Sequence, residues 1–311
     1  MNLKKPKFWD YKKPNICAYL LLPLACMLSI ISFLKSKSKI KIKKKKIKTI
    51  CIGNIYIGGT GKTSLSIKIN EIFNKLKIKS CFIKKFYKNQ IDEQKILKSR
   101  GKIFLSSKRI DAINQAESEN YEFAILDDGL QDHSIHHNLS FVCFNNINWI
   151  GNGLTIPAGP LRENINNLKK YQNIFLNGNL ENLENLKLQI LKINPKINIH
   201  IGKYVPLNLD EFDNNNKYLV FSGIGNHQTF VSMLRENGLN ISKDVEFPDH
   251  YTYTVFDINK ILNQANDLDC KIITTEKDYF RLEDNKIDAI KFIKSELQII
   301  DETKLINTLL K

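Results

Sequence analysis

Residues 51–73 run CIGNIYIGGTGKTSLSIKINEIF. Just upstream, IKTICIGN (47–54) is a β-branched run that predicts a strand ending where the glycines begin. Downstream, Leu65, Ile69, Ile72 and Phe73 fall at helical spacing. Strand, glycine-rich loop and helix in that order are the setting a phosphate-binding loop requires. The loop, Gly58-Gly59-Thr60-Gly61-Lys62-Thr63, departs from the common G-x-x-x-x-G-K-[ST] spacing, because Tyr56 stands where the first glycine is expected. Amide groups at a helix N-terminus carry partial positive charge, so such a turn suits a triphosphate. Gly58, Gly59 and Gly61 let the backbone approach closely, with Thr60 between them. Lys62 can reach the β- and γ-phosphates, and Thr63 can ligate Mg2+. The plain alternative is a tight turn that happens to contain Gly-Lys-Thr. Against it stands YEFAILDDG (121–129), an apolar run ending in two aspartates, which reads as a buried parallel strand. Asp127 or Asp128 can hold the metal there.

At 311 residues, 42% hydrophobic and 25% charged, the chain can bury a full core in one large or two modest domains. Lys and Arg outnumber Asp and Glu by 15, 47 against 32, and the excess is localised. Nine lysines fall within KSKSKIKIKKKKIK (35–48). Aromatic residues are scarce among them and an apolar stretch adjoins them, so no nucleic-acid partner is expected. Six cysteines (Cys17, Cys26, Cys51, Cys81, Cys143, Cys270) form no C-x-x-C pair and lack histidines at ligand spacing. They predict free thiols in a reducing compartment.

The adjoining stretch, ICAYLLLPLACMLSIISFL (16–34), runs 19 residues without a charge. As a helix it would reach about 28 Å, close to the thickness of a bilayer core. A lysine run follows in place of a small-residue cleavage site, which opposes export. Pro23 interrupts the stretch, and as a spanning helix it is barely long enough. A helix lying in the cytoplasmic leaflet, its lysines on anionic headgroups, fits better than a buried core helix with a solvated charge run.

From Lys48 onward short apolar runs alternate with helical patterns, as in α/β folds. SCFIKKF, KIFLSS, LSFVCFN and NIFLNG read as further strands, and RIDAINQAESEN as a helix. The rhythm restarts near residue 206 with KYLVFSGIGNHQTFVSMLRENG, while KIITTEKDYFRL and AIKFIKSELQI supply later strands. The expected division is a membrane-associated segment over 1–48, an α/β core with the phosphate loop over 49–205 and a C-terminal α/β lobe over 206–311.

IGNIYIGGTGKTSL, LDDGLQ, NGLTIPAGPLRE, FSGIGN, FPDHYTYT and TTEKD occur in one order between residues 52 and 278. Together they resemble the tetraacyldisaccharide 4'-kinase family, the lipid A 4'-kinases of Gram-negative bacteria. The resemblance covers nearly the whole chain, including the apolar N-terminal segment. It implies a P-loop NTPase-like, mostly parallel sheet with a second, smaller α/β lobe. It also implies transfer of phosphate from ATP, with Mg2+, to the 4'-hydroxyl of tetraacyldisaccharide 1-phosphate, the lipid A precursor. The expected enzyme acts as a monomer on the cytoplasmic face of the inner membrane, against anionic lipids.

Residue by residue, Gly58 to Thr63 match the phosphate loop, with Lys62 and Thr63 in the roles given above. Asp127 and Asp128 match the family's DDG, where metal and phosphate are managed. That places Asp127 with Thr63 at the metal, and Asp128 with Lys62 in the catalytic set. Asp92, in IDEQ, matches the family's catalytic base, and His250, in FPDHY, the histidine paired with it. Arg162, Glu163 and Gln131 match the substrate rim. From the residues alone, Asp92 reads as a solvated loop acid and His250 as a surface group; the resemblance raises both. The chain also departs from the family's pattern. IKKFYKN (83–89) stands in place of Ser-Arg-Gly-Tyr, with Tyr87 alone retained. Ile91 replaces the glycine before the base, and Gln94 the proline after it. Asp132 precedes His133. His133, His136 and His137 lack acidic or cysteine partners and read as a solvated loop.

A membrane-anchored ATPase switch is the competing class. It would explain the loop and the anchor but not Asp92, His250 or PAGPLRE. Partitioning-type ATPases of that kind carry a lysine before the paired glycines, where this chain has Ile57.

Overall fold

The apolar run after Lys48 forms the central strand β1 (Lys48–Gly53), buried at every residue past Lys48. It lies between β4 (Phe123–Asp127) and β5 (Leu139–Asn145), parallel to both. With both faces covered, such strands carry continuous apolar runs in place of alternation. Beyond β4 lie β2 (Ser80–Lys85) and β3 (Ile103–Ser106). Beyond β5 lie β6 (Asn173–Asn177), β7 (Asn198–Pro206) and β12 (Ser295–Ile299). The order β12-β7-β6-β5-β1-β4-β2-β3 is that of a doubly wound α/β sheet. Crossover helices α2 (Lys62–Lys75), α3 (Ile91–Arg100), α4 (Arg109–Ser118) and α5 (Leu183–Ile193) connect its strands. The computed structural model describes residues 5–37, 46–86, 91–132, 134–249, 251–282 and 288–311, with the backbone alone for 32–37, 91 and 92.

Among the described residues the chain divides into two compact units. The larger comprises Lys5–Asn177, Asn182–Ile201 and Ile299–Lys311; the smaller comprises Gly178–Glu181 and Gly202–Gln298. The core of the larger one gathers Cys51, Ile83, Leu126, Val142 and Leu176 from successive strands, with Ile113 of α4. The last helix, α9 (Glu302–Leu310), buries Leu305 and Leu309 in the same unit.

The smaller unit is a parallel sheet in the order β11 (Ile290–Ile293), β10 (Lys271–Thr275), β8 (Lys217–Ser222), β9 (Asn240–Glu246). Alternation sends Tyr218 and Val220 to one face and Leu219 and Phe221 to the other. Helix α6 (His227–Glu236) packs its Phe230, Val231 and Leu234 on the first face. Helix α7 (Val255–Asp267) packs Ile258 and Ile261 on the second, and starts at a capping box formed by Thr254 and Asp257. AIKFIKSELQI supplies two strands that part company: β11 joins the smaller sheet and β12 the larger. Helix α3 takes in Asp92, which from the residues alone reads as a loop acid.

Two buried polar chains tie the smaller unit together. Ser222 Oγ and His227 Nδ1 lie 2.7 Å apart, and His227 Nε2 lies 3.0 Å from Asp244 Oδ2. The order resembles a hydrolytic triad, but the serine is buried, so its role is to link β8, α6 and β9. Asp278, fully buried in α8 (Glu276–Arg281), accepts from the Gly223 amide at 3.1 Å, Tyr253 OH at 3.0 Å, Thr275 Oγ1 at 2.6 Å and Arg281 Nη1 at 3.1 Å. Replacing it with alanine removes the acceptor shared by the Gly223 amide, Tyr253 OH and Thr275 Oγ1, and leaves Arg281 with its bond to Gly223 O at 2.7 Å. Asp278→Ala should cost about 3 kcal/mol, read as a lower urea midpoint and lost hydrogen-exchange protection in β8 and β10. Asp278→Asn, which keeps the shape, should lose less. Undiminished protection in the alanine variant would refute this role.

Candidate active site

Past Gly53 the chain does not turn directly into the phosphate loop. Ile55 to Ile57 first pair with a distant strap: Arg162 N donates to Ile55 O at 2.7 Å and Ile57 N to Pro160 O at 2.9 Å. Tyr56 and Leu161 are the bridged pair between these bonds. The Tyr56 ring is buried and its hydroxyl meets the Asp10 carboxylate and the Lys5 ammonium, which explains a tyrosine where the common spacing has glycine. The glycine-rich part of the loop begins two residues later. Gly58 and Gly61 adopt φ of 123° and 76°, the left-handed region open to glycine. Helix α2 starts at Lys62, directly past Gly61, so the loop delivers its glycines to a helix N-terminus.

The loop is anchored from below by asparagines that sequence reading passed over. Asn177 Nδ2, at the end of β6, donates to Thr60 O at 2.8 Å. Asn145 Nδ2, at the end of β5, donates to Asn177 Oδ1 at 3.1 Å. Both are buried. The one available signal was a polar residue closing each apolar strand at the carboxyl edge, where α/β sheets bind ligands.

β1 and β4 run in register, with Ile52 beside Asp127, so the two aspartates end next to the loop. Asp127 is 1% exposed. Its Oδ2 lies 3.5 Å from Thr63 Oγ1 and 2.6 Å from Lys84 Nζ, while its buried Oδ1 has no hydrogen-bond partner. An unsatisfied carboxylate oxygen beside a threonine hydroxyl fits a hard divalent cation, which takes oxygen ligands. Among the described residues no group of three or more His, Cys, Asp or Glu could hold a metal, so any cation here would need phosphate or water as well.

Asp128 has a left-handed backbone, φ 58°. Its Oδ1 accepts from Arg162 Nη1 at 2.9 Å, and Arg162 also donates to Gln131 Oε1 at 3.2 Å. Gln131 Nε2 in turn donates to Asn54 O at 3.2 Å. Burial would raise the Asp128 carboxyl, but the Lys62 ammonium, followed by Arg162, outweighs it and holds the group below the usual carboxylate range. Arg109, the first residue of α4, donates from Nη2 to Asp128 O at 2.5 Å and pairs with Asp132 at 3.2 Å. Nothing local in RIDAINQAESEN marked that arginine. Glu163 accepts from Asn167 Nδ2 at 2.7 Å and Tyr171 OH at 2.8 Å, so its carboxylate braces its own loop.

The structure thus brings Gly58–Thr63, Asp127, Asp128, Gln131 and Arg162 together in the larger unit. His250 lies outside the described residues. Of Asp92 only the backbone is described, in the first turn of α3. Lys84, in the stretch that departs from the family's pattern, was not among the expected site residues, yet it reaches Asp127 and also Glu93 Oε2 at 2.6 Å.

Residues 17–311 match the family model described as tetraacyldisaccharide-1-P 4'-kinase. A tetraacyldisaccharide 4'-kinase of Pelagibacter ubique (strain HTCC1062) is 60% identical over 311 residues, covering 100% of this chain and 98% of the relative. One from Rickettsia canadensis (strain McKiel) is 31% identical, covering 91% of this chain and 90% of its own. Among solved structures, the "apo" form of LpxK from Aquifex aeolicus in complex with ATP superposes with a TM-score of 0.66 at 20% identity, covering 95% of this chain and 99% of that one, which supports the fold. With a phosphate loop, an acidic strand end and a family match over nearly its whole length, the chain belongs to the tetraacyldisaccharide 4'-kinase family.

Proposed function

We propose that the protein transfers the γ-phosphoryl group of ATP to the 4'-hydroxyl of tetraacyldisaccharide 1-phosphate, giving the 1,4'-bisphosphorylated lipid A precursor. The observation that carries this reading is the strap of residues 160–162 on Ile55–Ile57, which sets Arg162 beside Asp128 at the phosphate loop of a chain in this family. In the transfer the acceptor oxygen bonds to the γ-phosphorus while the bond from that phosphorus to the bridging oxygen of the departing ADP breaks. The hydroxyl proton passes to a carboxylate, for which Asp92 is the proposed base and His250 its orienting partner. When bound, Mg2+ supplies charge neutralisation at the phosphates. Thr63 and the free Oδ1 of Asp127 are the oxygens that suit it. Lys62 and the amides past Gly61 would offset the charge of the phosphates, while Asp128 and Gln131 hold the Arg162 guanidinium in place. Glu163 stiffens the rim through Asn167 and Tyr171.

Helix α1 (Ile16–Lys37) supports placement at a lipid surface. It buries the small Ala18 and Ala25, seven residues apart, and exposes Ile16, Leu20, Met27 and Ile30. A soluble helix has the reverse arrangement, with large apolar residues inside. Among the described residues no helix is long and apolar enough to cross a membrane. The reading is therefore a helix lying in the headgroup region of the inner membrane, on its cytoplasmic face, with the lysines of 35–48 on anionic lipids.

Detergent-solubilised protein with labelled ATP, Mg2+ and tetraacyldisaccharide 1-phosphate should give a bisphosphorylated lipid. A folded protein that makes none beside a working control enzyme sinks the proposal. Asp92→Ala and His250→Ala should each lower turnover by roughly 10²-fold; near wild-type rates would assign the base elsewhere. The folded Asp128 carboxyl titrates below its unfolded value. Its ionised form therefore stabilises the fold above the unfolded pKa of about 3.9, and that contribution is lost as pH falls through the folded value. Arg162→Met should move the Asp128 titration upward by carbon NMR, and no movement would discount the pair. Leu20→Asp with Ile30→Asp should weaken binding to anionic vesicles by roughly 10²-fold, and unchanged binding would remove α1 as the contact.

A further inference from the structure

Lys84 is the penultimate residue of β2, near the edge where β2 and β4 present their carboxyl ends, and is 3% exposed. Its ammonium lies 2.6 Å from Asp127 Oδ2 and 2.6 Å from Glu93 Oε2. A buried ammonium needs such partners, and two acceptors at one distance give it two places to rest. The acceptor on β4 is the oxygen that faces the Thr63 hydroxyl, 3.5 Å away. The acceptor on α3 belongs to the residue after Asp92, in the helix's first turn. One cation therefore joins the metal-facing carboxylate to the turn that carries the proposed base.

We propose that Lys84 is a resident cation held on Oδ2 of the carboxylate whose free Oδ1 suits Mg2+, and that Glu93 draws it away as nucleotide and metal arrive. Lys84 is thus a positioning residue that sets how much Mg2+ the protein needs to hold nucleotide. Two positive centres on one carboxylate repel each other, and the repulsion is relieved in proportion to the charge Glu93 can draw away. This inference rests on the phosphoryl-transfer reading, yet its test does not need turnover.

The test measures binding of a non-hydrolysable ATP analogue to the full chain across a Mg2+ titration, and reads the Mg2+ concentration giving half of the maximal gain in affinity. Lys84→Met should lower that concentration by about tenfold, the scale on which outer groups tune metal affinity. Glu93→Gln, which leaves the ammonium to Asp127 alone, should raise it several-fold. Opposite shifts from two members of one ion pair would not arise if the pair merely braced the fold, because loosening would move both the same way. Should Lys84→Met fail to fold, the rise in Glu93→Gln still decides the matter. An unchanged requirement in Glu93→Gln, or shifts of one sign in both variants, overturns the proposal. Wild-type protein that binds no nucleotide at any Mg2+ concentration overturns the kinase reading, and this proposal with it.

Discussion

Two backbone hydrogen bonds, from Arg162 N to Ile55 O and from Ile57 N to Pro160 O, are the constraint on which the site depends. They join segments about a hundred residues apart and settle three matters together. They set the exit from β1, so the glycines start after Ile57. They place a buried tyrosine where glycine would be usual. They also bring the Arg162 guanidinium to the aspartate at the end of β4. Backbone pairing suits this task because amide and carbonyl groups are obligatory partners once buried, whatever side chains they carry.

Around that strap the charges are paired closely. Asp128 meets Arg162 through its carboxylate and Arg109 through its carbonyl, Asp132 meets Arg109, and Asp127 meets Lys84. Before any phosphate arrives, the carboxylates already have cations, which is how acids can stand ionised in a buried strand end. A triphosphate brings several further negative charges, and the same lysines and arginines are the groups able to turn toward it. The electrostatic work of binding is then an exchange of partners among groups already in place.

Much of this was legible in the sequence, for physical reasons. A β-branched run, glycines and a helical repeat are local patterns, so strand, loop and α2 could be read directly, and so could β4 with its aspartates. The pairing of Tyr56 with Leu161 was not, since no local rule links positions so far apart. Arg109, Asn145 and Asn177 act through partners fixed by topology, and each in its own segment resembles an ordinary helix or strand residue. Lys84 was hidden for a different reason. A lysine at a strand end reads as a solvated charge until the neighbouring strand and α3 supply two carboxylates for it. The division of AIKFIKSELQI between two sheets is equally silent, because both halves carry the same β-forming residues.

The path of the chain through the larger unit bears on how the protein is made. The smaller unit's main stretch, Gly202–Gln298, interrupts the larger one, which resumes at Ile299 with the end of β12 and with α9. Leu305 and Leu309 fill the larger unit's interior, and Lys304 Nζ donates back to Ile199 O at 3.0 Å. On the ribosome the parallel strands β1 to β6 emerge long before the residues that complete their unit. The smaller sheet, by contrast, is contiguous from β8 to β11 and can close while α9 is still in the exit tunnel. The half of the protein that holds the phosphate loop is thus begun first and finished last, and trimming the tail damages that half before the neighbour it follows in sequence.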